Sequence, residues 1–355
     1  MIAIYLDWLK QTRKHWSHND SYWDFRSKLA KTNNFLLVQL QYQINTTEYS
    51  FSPGKAIIKT TGDITTLYDA KDSLVLKYIA ENIKNNYTFN KYILSNKGNG
   101  GVSRAVKTIN RLIKTHKYIY RTDVKKFYES INHEILISKL PKYTSNIMSR
   151  LIIKHLDTPQ WFCGEYNTMK QGISKSSPLS PVLGCIYLDE LDQAMSEMID
   201  IKYLRYADDW IILAKTKHKL RKAVKKSKQM LSKLKLKEHP DKLTIETISF
   251  DTKQKFDSNN KLNSKPFAFL GVEFDYNGAK DIKKQTKRNF FVKISRLYEC
   301  IQQLAKAKAY LNKENAKGKR LYDYINLFEL EVIKKFTRSL IGFRRYIFHI
   351  LKYAN

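Results

Sequence analysis

Cysteine is scarce: Cys163, Cys185 and Cys300 are the only three, far apart and with no CxxC pair. They argue against both a disulfide framework and a zinc site, and fit a reducing, bacterial-type cytoplasm. Long apolar runs are missing as well. None approaches the roughly 20 residues that a membrane-spanning helix needs, so no membrane partner is expected. The opening stretch MIAIYLDWLK carries an aspartate at position 7 and no small-residue cleavage site, which argues against a signal peptide. Neither GxGxxG nor GxxxxGK[ST] occurs, so a doubly wound nucleotide-binding fold is not expected.

Acid is also short. Against 64 Lys+Arg stand 33 Asp+Glu, a formal net charge of +31, spread too widely to be one tail. Such an excess favours a polyphosphate partner, above all nucleic acid, because each neutralised phosphate releases a counterion. A lysine-rich solvated surface is the plainer alternative, since charge speaks to partners and not to fold. What is present suffices for a sizeable core: 43% of 355 residues are hydrophobic, a length that suggests two or three lobes.

Residues 1–50 mix aromatics with helical spacing and show no chemical motif. After a Ser-Pro-Gly turn, KAIIKTT is β-prone and DAKDSLVLKYIAENI has helical periodicity. VSRAVKTINRLIKTH predicts a helix with a basic face. KYIYRTDVKKFY, residues 117–128, alternates as a strand does, and ESINHEILISKL is helical. In SPVLGCIYLDELDQAMSEM, Ser180 and Pro181 sit as N-cap and first-turn proline. Residues 215–237 form a lysine-studded amphipathic helix, KLTIETISF a strand, DTKQKFDSNNKLNSK a polar loop and FAFLGVEFD the last strand. From about 280 onward the pattern is helical and basic. The alternation predicts an α+β lobe followed by a helical one.

Within YLRYADDWIILAK, residues 203–215, two adjacent aspartates stand between apolar runs. Strands closing over Asp208 and Asp209 would hold two like charges at a tip with nothing local to neutralise them. A multivalent cation is the natural partner, although aspartates are also common in plain turns. Asp123, near the end of the strand in YRTDVKKFYESI, is the candidate third carboxylate. A sheet that placed it beside Asp208 and Asp209 would create a cluster able to hold two Mg²⁺ roughly 4 Å apart, suited to in-line phosphoryl transfer.

Several segments, in order, resemble a reverse transcriptase of the bacterial group II-intron-like branch. TDVKKFYESINHEIL resembles the first catalytic motif, GISKSSPLSPVLGCIYLDELD the second and YLRYADDWIILAK the third. LKLKEHPDKLTIE resembles the fourth and FAFLGVEF the primer grip, while LYDAKDSLVLKYI and GNGGVSRAVKTINRL resemble finger motifs. The resemblance covers about residues 50–300. It implies a right-hand polymerase: an N-terminal helical extension (1–50), fingers (51–122), a palm with an antiparallel sheet and the YADD hairpin (123–278), and an α-helical thumb (279–355).

By the same resemblance Asp123 and Asp208 are metal ligands, with the Val124 carbonyl an additional one and Asp209 completing the cluster. The cofactor is two Mg²⁺, with Mn²⁺ as substitute. Tyr128 falls at the steric-gate position, where its ring would abut the sugar 2′ position; the alternative is a core tyrosine. Lys242 would serve the leaving pyrophosphate, or be one solvated lysine among many. The second motif departs from the family pattern. Counting back from Ser180-Pro181 selects Lys175 and Ser176 to flank the incoming base, whereas the visible Gln-Gly is Gln171-Gly172. Both pairs remain candidates. The first finger motif lacks its Arg-Pro, which shifts triphosphate contacts to Lys55, Lys59 or Lys71. Most aromatics beyond residue 300 read as core, some as stacking groups. No Cys/His-rich nuclease module or separate DNA-binding domain follows, so a complete mobile-intron protein is not expected.

The implied activity is RNA-directed DNA synthesis, with an RNA template, a DNA primer and dNTPs as partners. A dedicated structured RNA, a second copy or a partner protein remain open. Antiviral defence leads retron-type and repair roles by a small margin. An RNA-directed RNA polymerase and a non-catalytic, maturase-like RNA-binding protein are the rivals.

Overall fold

A computed structural model describes residues 3–6, 20–32, 35–58, 64–239, 244–247, 267–275, 277–313 and 319–352. Lys59, Lys242 and the polar run 251–265 lie outside the described residues. In chain order come α1 (Asp20–Lys31), α2 (Phe35–Asn45), β1 (Gly54–Ile58), β2 (Ile64–Leu67), α3 (Ala70–Asn86) and α4 (Gly101–Leu112). Next are β3 (Tyr118–Asp123), α5 (Phe127–Ser130), α6 (His133–Lys139), α7 (Asn146–Asp157), β4 (Gln160–Phe162) and β5 (Glu165–Asn167). They are followed by α8 (Ser180–Ser196), β6 (Ile201–Tyr206), β7 (Asp209–Ala214), α9 (Lys217–Lys233) and β8 (Thr244–Thr247). Last come β9 (Phe267–Phe269), β10 (Val272–Asp275), β11 (Gly278–Ile282), α10 (Lys284–Lys313) and α11 (Lys319–Leu351).

The chain divides into two compact units. The first comprises Met1–Ser95, Arg121–Ile212 and Arg221–Thr244. One of its sheets has the order β2-β1-β4-β5, with β1 antiparallel to β2 and parallel to β4. A further four-stranded sheet of the chain runs β6-β7-β3-β8. β6 and β7 are joined through Ala207 and Asp208 alone, a connection only antiparallel neighbours allow. Helix α8 is apolar nearly all round and correspondingly buried, from Val182 and Leu183 through Ile186 and Leu188 to Leu191 and Met195. Helices α6 and α7 start on side-chain caps: Asn132 accepts from the Ile135 amide at 3.0 Å, and Ser145 from the Met148 amide at 3.4 Å.

The second unit comprises Asn96–Tyr120, Leu213–Leu220 and Ile245–Asn355. Its sheet has the order β11-β10-β9 and takes α4 against β11, where Asn110 Oδ1 accepts from the Ala279 amide at 2.8 Å. The long helices α10 and α11 pack on one another through Phe290 and Phe343, stacked at 3.7 Å. Among the described residues no helix is long and apolar enough to cross a membrane.

Three sequence expectations change. The strand read over 117–128 stops at Asp123, because Lys126 takes a left-handed φ of +48° and Phe127 begins a short helix. FAFLGVEFD is two strands, β9 and β10, turned about Leu270 and Gly271, both at positive φ. Ser180 is the first helical residue and caps nothing. Leu179, already helical in backbone, holds the cap position, and the Ser180 hydroxyl donates to the Ser174 carbonyl at 2.5 Å.

Candidate active site

β3 ends on Asp123, and β7, which begins on Asp209, is its neighbour in the sheet. Asp123 is buried, and its backbone is locked from the other side. His239 N–H donates to the Asp123 carbonyl at 2.9 Å, Lys125 N–H donates to Lys237, and Val124 bridges Glu238. The segment that leads to Lys242 therefore braces the strand end that carries Asp123.

Asp209 feels both other acids. Its carboxyl is raised above the ordinary carboxylate value, first by burial and also by the charges of Asp123 and Asp208. Arg121 counters them with two hydrogen bonds, Nε to Oδ1 at 3.2 Å and Nη2 to Oδ2 at 3.0 Å. The expectation that nothing local neutralises the aspartate pair is thus corrected: Arg121 neutralises one member. Its signal was in the sequence, because Arg121 and Asp123 are two residues apart on one strand and share a face.

Among the described residues no three His, Cys, Asp or Glu side chains stand as a group that could hold a metal ion. Arg121 engages both oxygens of Asp209, and Asp123 and Asp208 are the other carboxylates that a cation here would use. Their donor set is all hard oxygen, and the mutual repulsion recorded at Asp209 is relieved by a divalent charge, so the pair fits Mg²⁺.

Tyr128 is half-buried. Its hydroxyl is raised in pKa, first by burial and then by the charge of Asp208, so that carboxylate lies within electrostatic reach of it. Gly184 of α8 makes room for the neighbouring Phe127: a Cβ there would stand 3.0 Å from Phe127 Cε1, and 3.7 Å from Tyr128 Cε1, an ordinary contact. Gln171 and Gly172 dock onto the same segment. Gly172 N–H donates to Ile131, Ile173 N–H to Tyr128 at 2.7 Å, and Gln171 Nε2 to the Ser130 carbonyl at 3.2 Å.

Lys175 pairs with Glu129 at 3.1 Å, and Ser176 Oγ exchanges hydrogen bonds with the Thr66 backbone of β2. Lys55 lies over the Trp161 ring at 5.2 Å and Lys71 over Tyr49 at 5.2 Å.

Sequence reasoning missed one further constellation. Arg205 is 1% exposed and Asp192 0%. They meet through Nε–Oδ1 at 2.7 Å and Nη2–Oδ2 at 2.5 Å, and Tyr203 donates to the same carboxylate at 2.8 Å. Burial raises the Asp192 carboxyl, which Arg205 and Tyr203 counter. Burial also works against the Arg205 charge, yet Asp192 raises its pKa overall. An arginine inside an apolar strand and an aspartate inside an apolar helix were the available signal.

Residues 39–274 match the family model described as reverse transcriptase (RNA-dependent DNA polymerase). Among solved structures, the chain is similar to apo telomerase from Candida tropicalis truncated from its C-terminal domain, with a TM-score of 0.50 and 16% identity. That match covers 66% of this chain and 55% of the telomerase chain. Telomerase from Candida albicans, in complex with a fragment of telomeric RNA, gives a TM-score of 0.43 at 13% identity over 58% of this chain and 37% of the other. No curated protein matches.

Proposed function

The chain belongs to the reverse transcriptase family, and from that premise we propose that it is an RNA-directed DNA polymerase that adds dNTPs to a DNA 3′-hydroxyl opposite an RNA template. The observation that carries the reading is electrostatic: Asp123 and Asp208, 85 residues apart in the chain, both press on Asp209 at the ends of neighbouring strands. A protein that only binds RNA has no use for three acids within electrostatic reach of one another in a chain of net charge +31.

Asp123 and Asp208, with the Val124 carbonyl, would hold the divalent ions, two Mg²⁺ or Mn²⁺ in their place. Such ions lower the pKa of a 3′-hydroxyl and absorb charge at the reacting phosphorus. Arg121 keeps the third acid neutralised. Tyr128, within electrostatic reach of Asp208, is assigned the steric gate: its ring would abut the sugar 2′ position of an incoming nucleotide and favour dNTPs over rNTPs. Gln171, Gly172, Lys175 and Ser176 line the approach to that ring as contacts for the incoming base. Lys242 is assigned to the leaving pyrophosphate and Lys55, Lys59 and Lys71 to the triphosphate.

The lobes are assigned as extension (1–50), fingers (51–122), palm with its YADD hairpin (123–278) and helical thumb (279–355). The motif spelling supports the bacterial group II-intron-like branch. Cysteine scarcity supports a cytoplasmic protein, and antiviral defence is the role we favour over retron-type or repair synthesis. Primer extension on an RNA template by the purified protein tests the activity, with Asp208→Asn as control. Incorporation that survives this substitution excludes the assigned site, and preference for rNTPs would replace the product with RNA. Sequencing the nucleic acids that copurify identifies the template and any dedicated RNA.

A further inference from the structure

Asp208 has no regular secondary structure of its own to hold it. It follows Ala207, a non-glycine residue at φ +54°, in the two-residue link between β6 and β7. Both backbone polar groups of Ala207 are nonetheless engaged. Its N–H donates to Ser95 Oγ at 3.3 Å, and its carbonyl accepts from Arg205 Nη1 at 2.6 Å.

Arg205 is itself fixed at every point. Its N–H donates to the Tyr92 carbonyl at 3.0 Å, and its own carbonyl accepts from Leu94 N–H at 2.7 Å. Its other two guanidinium nitrogens are taken by Asp192 on α8. A buried ion pair is a poor way to stabilise a core, because apolar residues of the same volume serve as well or better. What an apolar pair cannot supply is the third arm, the N–H aimed at Ala207.

We propose that the buried Asp192–Arg205 pair is a positioning device that acts through the Ala207 carbonyl to hold Asp208 in its metal-binding orientation. The inference rests on the assignment of Asp208 made above. Asp192 orients the guanidinium plane, Tyr203 orients Asp192, and Arg205 carries the alignment to the residue before Asp208. Neither Asp192 nor Arg205 touches substrate.

The test replaces the pair with apolar residues, Asp192→Leu with Arg205→Met, in the full chain. Melting temperature, Mn²⁺ binding by electron paramagnetic resonance without nucleic acid, and primer-extension kcat and KM are then measured. The expected variant melts within about 5 °C of the parent. It binds Mn²⁺ at least about tenfold more weakly and loses at least about tenfold in kcat, with KM for dNTP within about threefold. Should the double variant fail to fold, Arg205→Lys carries the same readouts, since one ammonium cannot serve Asp192 and Ala207 with the fork geometry.

A folded variant with unchanged Mn²⁺ affinity and kcat overturns the positioning role. Parent protein that neither binds Mn²⁺ in an Asp208-dependent way nor extends a primer overturns the polymerase reading itself, and this inference with it.

Discussion

Arg121 grips both carboxylate oxygens of Asp209 from the neighbouring strand, and it does so two residues before Asp123. The site therefore sets three acids within electrostatic reach of one another and holds one of them in an arginine fork. An acid whose two oxygens are both held by a guanidinium has less charge to offer a cation.

The three aspartates should rank accordingly. Asp123→Asn and Asp208→Asn are expected to lower single-turnover primer extension by about 10³-fold or more, and Asp209→Asn by only about tenfold. Equal losses at all three positions would mean that Asp209 leaves Arg121 during the reaction.

Removing the arginine gives the converse result. In Arg121→Met the charge of Asp209 is left against Asp123 and Asp208, so its carboxyl should rise further and activity should fall about tenfold. Adding Asp209→Asn to that variant should restore extension to within about threefold of the parent, a coupling that a double-mutant cycle reads directly. Additive losses would contradict the neutralising role.

How much of this was legible depended on whether a signal was local. Helix α9 could be read because Leu220, Ala223, Met230 and Leu231 recur at helical spacing among lysines, and all four are buried. Alternation put Asp123 on a strand but carried that strand on to residue 128, because the left-handed turn at Lys126 leaves no mark in the pattern. The break in FAFLGVEFD escaped notice because Leu270, an ordinary strand residue, takes φ +50° beside Gly271. Arg205 and Asp192 escaped for a different reason. Their pairing joins a strand to a helix, and no periodicity within either element records a partner in the other. Ser180 looked like a cap by residue type, whereas its hydroxyl is spent on the Ser174 loop.

Gly172 marks the closest approach of the second-motif loop to the Tyr128 segment. At φ +87°, a Cβ there would stand 2.9 Å from the Glu129 carbonyl oxygen. Gly172→Ala should cost about 2–3 kcal/mol by urea unfolding and should relax rNTP exclusion, because Ile173 N–H anchors the Tyr128 carbonyl next door. A variant with the parent's unfolding midpoint would show that the loop shifts away at no cost.

His155 supplies a pH dependence that can be isolated. Its ring packs against Phe51 at 5.1 Å and Tyr68 at 5.4 Å, and burial pushes its pKa down from 6.5 to about 4. The folded protein therefore resists protonating a group that the unfolded chain protonates readily. Stability from this residue is intact above pH 6.5 and is lost as pH falls towards about 4, by about 1–3 kcal/mol. Carboxylates titrate in the same window, so the variant must isolate the ring: His155→Phe keeps the tilted ring contacts and removes the proton site. Urea midpoints compared at pH 7 and pH 4.5 should fall less for His155→Phe than for the parent. Parallel losses in the two proteins would mean that the imidazole is protonated as easily in the fold as in the unfolded chain.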